Sequence, residues 1–237
     1  MAKRNLDPCT RSAFGELGNA LRHDLGAPVR HVSSFAGLLA RSLGDNLSAD
    51  QEKCASLLNG AVGRLDLMVA AMGKYCELLS AEPDLEPLDL GQVLEEAQER
   101  WRFRTERGSG HMRWEENFPR VLASGSQMQL LLAALLDNSS TYIDSDRDSI
   151  VRVESKVGGG RCEIVVSDNG VGLAPKYRDR ATKLFWKLSS DSPGVGAGLS
   201  IARCVAEAHG GQLEIGDRAD GEDGISIRFS LLMDPTQ

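Results

Sequence analysis

The sequence predicts an α+β chain: an antiparallel helical hairpin, then a sandwich of helices packed on a mixed sheet. Three observations lead there. Apolar residues recur three and four apart through roughly the first eighty positions, Pro83 and Pro87 interrupt that pattern within SAEPDLEPLDL, and beyond them helical stretches mix with short runs of period-two hydrophobicity.

The first helical stretch covers 11–43 and the second 49–81, with GDNLSAD at 44–50 supplying Gly, Asn and a Ser N-cap for the turn between them. In the second stretch Cys54, Leu58, Ala61, Leu65, Met68, Met72, Tyr75 and Leu79 alternate four and three apart, the period of a coiled-coil seam. A lone hairpin cannot bury a seam of that length on both helices, so pairing with a second copy into a dimeric four-helix bundle is predicted. Pro83 and Pro87 end the helix and mark a linker, dividing the chain into domains 1–83 and 84–237. Past Leu88 the pattern predicts helices at 90–104, 126–142 and 198–209, and strands at 150–156, 161–167, 212–216 and 225–232. Elements in this order suit helices on one face of a mixed sheet.

Bulk properties narrow the classes. A chain of 237 residues, 41% hydrophobic, suffices for one large core or two small ones. The net charge of −7 and pI near 5.2 exclude a general nucleic-acid or anionic-membrane binder, which needs clustered cations. Cys9, Cys54, Cys76, Cys162 and Cys204 are scattered, without a CxxC, so neither a disulfide framework nor a zinc site is indicated, and a reducing cytoplasmic setting is expected. No apolar run is expected to reach the roughly 18 residues that span a bilayer, and MAKRNLDPCTRSAF has no signal-peptide core.

Candidate chemistry begins in the first helix. Leu21, Leu25, Val32, Phe35 and Leu39 keep heptad spacing, with Pro28 at the intervening position. His23 stands two residues from both Leu21 and Leu25, about 200° around the helix from the seam, and is expected to face solvent. A proline in a helix interior costs about 3 kcal/mol, and its implied use is a bend beside His23. Asp24 can accept a hydrogen bond from one ring nitrogen and leave the other free to attack. The plain alternative is a surface histidine beside a solvated acid; His31, His111 and His209 are read as structural or surface residues.

In the second half, VVSDNGVGL places Asp168 at a strand end with Gly170 and Gly172 beyond it, where glycines allow close backbone approach. GVGAGLSIARCVAEAHGG sets Gly194, Gly196 and Gly198 directly before a helix, as in a phosphate cradle. Neither a Rossmann fingerprint nor a P-loop accompanies them.

Taken in order, HDLGAP, LLLAALLDNSSTY, VVSDNGVGL, KLFWKLSSDSPG and GVGAGLSIARCVAEAHGG resemble the H-box, N-box, first glycine box, F-box with lid, and second glycine box of the sensor histidine kinases of two-component systems, across residues 20–211. The resemblance implies a dimerisation and phosphotransfer hairpin followed by a Bergerat-type ATP-binding sandwich of the Hsp90-like kind. It implies ATP and Mg²⁺ as cofactors, His23 as phosphoacceptor with Asp24 beside it, and Asn138 as the magnesium ligand. Tyr142 would flank adenine and Asp168 accept its exocyclic N–H. Gly170, Gly172, Gly194, Gly196, Gly198 and Leu199 would line the nucleotide, Phe185 and Trp186 anchor a lid, and Lys187 reach a phosphate. The implied partners are a second copy, a response-regulator receiver domain and an upstream sensory module.

Four positions depart from the family pattern. Ala134 stands where the family often has an earlier Asn and related ATPases a water-activating Glu; Thr141 replaces the N-box Lys. Ala27 lies where many members carry a Thr or Asn used to dephosphorylate the partner, and Thr182 replaces an F-box Phe. These predict weak ATP hydrolysis, slower autophosphorylation, weak phosphatase activity and a looser lid. Two further readings stay open: a phosphorelay or scaffold protein with little kinase activity, and an ATP-dependent clamp or chaperone-like ATPase.

Overall fold

The computed structural model describes residues 6–42, 48–104, 110–115, 118–144, 146–189 and 192–235. The chain forms two compact units, Leu6–Ala81 and a second from Glu82 onward.

The first unit is helical. Helix α1 (Pro8–Ala20) starts on the Asp7 carboxylate, which accepts from the Thr10 N–H at 3.0 Å, with Pro8 where an N–H would go unused. It runs through a π turn, Leu21–Leu25, into α2 (Gly26–Ser42). Helix α3 (Ala49–Ser80) opens with a capping box: Ser48 Oγ accepts from Gln51 N–H and Gln51 Oε1 accepts from Ser48 N–H. Residues 43–47, which include most of the expected turn, lie outside the described residues.

The π turn changes which face is covered. The Gly26 N–H donates to the Leu21 carbonyl, five residues back, so one extra residue is wound into the turn. Pro28 is two residues beyond; it has no N–H for the Asp24 carbonyl and its ring crowds that carbonyl. The buried stripe accordingly steps Gly18, Leu21, Gly26, Val29, Ala36, with a five-residue stride across the π turn. The heptad series expected to be the seam is not this stripe: of it Leu21 is buried, whereas Leu25, Val32, Leu39 and Phe35 (67% exposed) lie outside. Likewise α3 buries Val62, Gly73, Cys76, Leu78 and Leu79, while Leu58 and Leu65 are exposed. Small residues let α1 and α3 approach closely: a Cβ on Gly18 would stand 3.2 Å from Cys76 Cβ, and one on Gly73 3.2 Å from Arg22 Cγ.

One expectation needs correcting. By length and composition α3 is apolar enough to cross a membrane, with an 18-residue window of mean hydropathy 1.2 that is only 11% buried. The apolar residues are spread around the helix, over more surface than α1 and α2 cover.

The second unit is a seven-stranded mixed sheet with helices packed on it. In chain order it contains β1 (Glu86–Leu88), α4 (Leu90–Arg104), β2 (His111–Trp114), β3 (Val121–Ala123), α5 (Gly125–Thr141), β4 (Ile150–Gly158) and β5 (Arg161–Asp168). There follow α6 (Pro175–Ala181), α7 (Gly198–Ala208), β6 (Glu214–Gly216) and β7 (Ser226–Met233). The strand order is β1-β3-β7-β5-β4-β2, with β6 also on β7; β2 and β4 are parallel and the other pairs antiparallel. Alternate residues form buried rungs, Val153 opposite Val166 and Val166 opposite Ile227, then Ile164 opposite Phe229 and Cys162 opposite Leu231. Leu94, Trp101, Met128, Leu131, Leu135, Ala202 and Val205 of α4, α5 and α7 supply the buried helical side.

Part of the expected linker is a strand. Pro87 sits in β1 opposite Leu122, which its missing N–H permits because β1 ends the sheet order. The strands β1, β2 and β3 and the helix α6 are three to seven residues long, too short for a periodic signal, and the pattern did not predict them.

Candidate nucleotide site

Three segments far apart in sequence meet at one end of the second unit. The C-terminal part of α5 brings Ala134, Asp137, Asn138, Thr141 and Tyr142; β5 ends in Asp168 and turns through Gly170 and Gly172; the loop before α7 brings Gly194 to Leu199. Together with Trp186, Leu188 and Ile225 they line a cavity of about 250 Å³.

Besides Asp137, this cavity is lined by the carboxylate residue Asp168 at the end of β5. Its Oδ1 accepts from the N–H of Gly170 at 3.0 Å and of Ile225 at 3.2 Å. Burial pushes its carboxyl above the ordinary range, opposed by those two N–H groups and by the nearby Arg218. Asn169 holds the strand end: its side-chain oxygen accepts from Ile150 N–H at 2.8 Å and its NH₂ donates to the Asp148 carbonyl at 3.0 Å.

Two glycines are required here by contact. A Cβ on Gly170 would lie 2.6 Å from the Tyr142 carbonyl oxygen, which itself accepts from Val171 N–H at 2.9 Å. Gly196 has φ +73°, and its Cβ would lie 2.4 Å from the Trp186 carbonyl oxygen; its own carbonyl accepts from Phe185 N–H at 2.9 Å. Phe185 also has positive φ (64°), so the strand of chain before the glycine loop is held in a sharp turn. Trp186 faces Tyr177 at a centroid distance of 5.9 Å and lines the cavity.

Of the predicted cofactor-binding residues, Asn138, Tyr142, Asp168, Gly170, Gly172, Gly194, Gly196, Gly198 and Leu199 all line this cavity. Lys187 is not among the lining residues: its ammonium donates to the carbonyls of Ser192 and, at 3.2 Å, Gly194, which turn back toward it. Thr141 spends its hydroxyl on the Asp137 carbonyl at 2.8 Å. Thr182 is buried and satisfied, donating to the Asp179 carbonyl at 3.1 Å and accepting from Arg203 at 3.2 Å. The sequence patterns assigned no site role to Asn169, Ile225 or Arg218, although Asn169 lies inside VVSDNGVGL and Ile225 begins a predicted strand after the turn-rich GEDG.

His23 and Asp24 belong to the helical unit. Both are exposed, His23 at the centre of the π turn, and no hydrogen bond joins them. Arg22 beside them is held by Asn19 Oδ1 at 2.6 Å and lies 3.8 Å from Glu77.

Magnesium fits the second unit on its donor chemistry. Among the described residues no three His, Cys, Asp or Glu side chains converge. The Asn138 side-chain amide makes no hydrogen bond to another described residue and lines the cavity, and a hard cation sharing one amide oxygen with phosphates and water suits Mg²⁺.

Residues 123–235 match the family described as histidine kinase-, DNA gyrase B-, and HSP90-like ATPase. The chain is 28% identical over 220 residues to the methanogenesis regulatory histidine kinase FilI of Methanothrix harundinacea, covering 88% of this chain and 23% of that one. It is 28% identical over 218 residues to the sensor-like histidine kinase SenX3 of Mycobacterium tuberculosis, covering 89% and 51%. The crystal structure of full-length ShkA in complex with AMPPNP superposes with TM-score 0.67 at 23% identity, over 92% of this chain and 46% of that one, which bears on the fold.

The second unit thus contains an ATP-binding domain of the histidine kinase-, gyrase B- and HSP90-like class. Over nearly nine-tenths of its length the chain is similar in sequence to sensor histidine kinases. It spans about half, or less, of the length of these relatives.

Proposed function

We propose that this chain uses Mg-ATP to phosphorylate its own His23 and passes the phosphoryl group to an aspartate on a response-regulator receiver domain. The observation that carries this reading is the joint lining of one cavity by Asn138, Asp168 and the Gly194–Gly198 loop, in a chain whose other unit exposes a histidine on a π turn.

Asp168 would accept the adenine amine, Tyr142 would flank the ring, and the backbone of residues 194–198 at the start of α7 would receive the phosphates. Bound Mg²⁺ would neutralise phosphate charge, with Asn138 as its protein ligand. A neutral His23 nitrogen would attack the γ-phosphorus in line; the new N–P bond forms as the bond to ADP breaks, and the ring loses its proton to solvent. Asp24 would orient the ring on approach of the nucleotide, since exposure leaves both side chains free to turn.

Thr141 supports the expectation of slow autophosphorylation: where a Lys would add charge at the phosphates, its hydroxyl is engaged by its own helix. The same observation keeps the phosphorelay reading in play. The proposed setting is the cytoplasm, in keeping with five cysteines none of which is in a disulfide among the described residues, and the proposed working form is a homodimer attached to a sensory module.

The test is incubation with Mg and γ-labelled ATP beside His23→Ala and Asn138→Ala. Alkali-stable, acid-labile label absent from both variants is expected. Nucleotide binding without label would favour the phosphorelay reading, and label surviving in His23→Ala would refute His23 as acceptor.

A further inference from the structure

Asp168 is held from behind by a loop that no recognised motif covers. Residues 217–225 join β6 to β7 and pass against the end of β5. Gly224 has φ +126°, and a Cβ there would lie 1.9 Å from the Asp168 carbonyl oxygen and 3.0 Å from Arg218 Cδ, so loop and strand end touch through backbone. Ile225 exchanges two bonds with Asp168: it accepts from the Asp168 N–H at 3.0 Å and donates its own N–H to Oδ1 at 3.2 Å.

Arg218 completes the bracket. Its side chain is 19% exposed. Nη1 donates to the carbonyls of Asp168 and Asp223, each at 3.2 Å, while Nε and Nη2 fork onto the Asp220 carboxylate, the first at 2.9 Å. Guanidinium geometry is fixed, so a fork on Asp220 dictates where the remaining donor points. With Oδ1 committed to two backbone N–H groups, Oδ2 is the oxygen left for the cavity. Its direction follows from where the strand end is pinned.

We propose that Arg218 is a positioning residue for base recognition: by clamping the Asp168 carbonyl to the 217–224 loop it aims Oδ2 at the exocyclic group of a bound purine, and so sets the preference for 6-amino over 6-oxo purine nucleotides. This rests on the ATP-site reading above. Hypoxanthine presents an oxygen where adenine presents an N–H, so a well-aimed carboxylate attracts one base and repels the other. Loosening Asp168 costs adenine its bond and relieves the repulsion, narrowing the ratio from both sides. An arginine with only a structural role would change both affinities alike.

The experiment measures ADP and IDP dissociation constants on the full chain for wild type, Arg218→Met, Arg218→Lys, Asp220→Asn and Asp168→Asn, with thermal melts as folding controls. Arg218→Met is expected to weaken ADP roughly tenfold while IDP stays within about twofold. Arg218→Lys should recover part of the difference, because an ammonium reaches a carbonyl but cannot fork. Asp220→Asn, at an exposed carboxylate, should shift the ratio the same way by less, and decides the matter if Arg218→Met does not fold. An unchanged ADP-to-IDP ratio in the folded variants, or equal losses for both nucleotides, overturns the proposal. The ATP-site reading fails separately, and this proposal with it, if wild type does not prefer ADP or if Asp168→Asn leaves the ratio intact.

Discussion

Asp168 is half-buried and His209 buried, and desolvation has opposite consequences for the two ionisable groups. The Asp168 carboxyl is raised, chiefly by burial, so its contribution to stability is present below the ordinary value of 3.8 and is lost as pH rises through the raised one. Asp168→Asn keeps an oxygen for the Gly170 and Ile225 N–H groups and removes the buried charge. It should melt at or above the wild-type temperature at pH 7 while binding ADP at least about tenfold more weakly, as read by melting with and without nucleotide. His209 was read from sequence as structural or surface; it is 3% exposed. Its Nε2 accepts from Ser124 N–H at 3.0 Å, so Nδ1 must carry the proton it shares with the Val205 carbonyl at 2.8 Å. Burial depresses its pKa, so neutral His209 stabilises the fold fully above about the ordinary 6.5, and that stability falls as pH drops toward the depressed value. His209→Ala should cost about 2–4 kcal/mol in urea unfolding at pH 7.5, and less at pH 5.5.

At the scale of elements, the π turn links a local defect to the placement of His23. The turn leaves Leu21 and Gly26 buried with Arg22 through Leu25 outside, so the reactive position is carried on an exposed arc. Pro28→Ala restores an N–H for the Asp24 carbonyl and permits an α turn. It should raise the melting temperature, since an interior proline costs about 3 kcal/mol relative to Ala, while lowering the rate of His23 labelling. An unchanged labelling rate with a higher melting point would separate the turn from the chemistry. Gly18→Val tests the close approach of α1 and α3. Its Cβ meets Cys76 Cβ at 3.2 Å in a buried place, and a loss of about 1–3 kcal/mol is expected by thermal unfolding.

For the molecule as a whole, the first unit carries more apolar surface than it covers. Phe35, Leu38, Leu39, Leu57, Leu58 and Leu65 are exposed large hydrophobic residues, more than a monomeric helical hairpin leaves in water without a partner. A dimer through this surface predicts that Phe35→Glu combined with Leu58→Glu shifts the chain from dimer to monomer in light scattering. The melting profile of the nucleotide-binding unit should be retained.

How much of this was legible beforehand depends on the range of the forces involved. The long helices, the three long strands β4, β5 and β7 and the glycine loops were readable because periodicity, caps and turn chemistry are local; Ser48 is such a signal, and the structure has the cap where the sequence places it. Nine cavity-lining residues were likewise readable from motif resemblance. The buried stripe of the first helix was not, because an α-helical count assigns Leu25 and Val32 to the seam, whereas an extra residue wound in before Pro28 hands that role to Gly26 and Val29. Nor were Arg218, Asn169 and the strand of Pro87, which take their meaning from neighbours 50, 19 and 35 positions away. Local chemistry thus determined the elements and the glycine-lined site. Which face each helix buries, and what holds Asp168 in place, are long-range packing outcomes that only the tertiary structure decided.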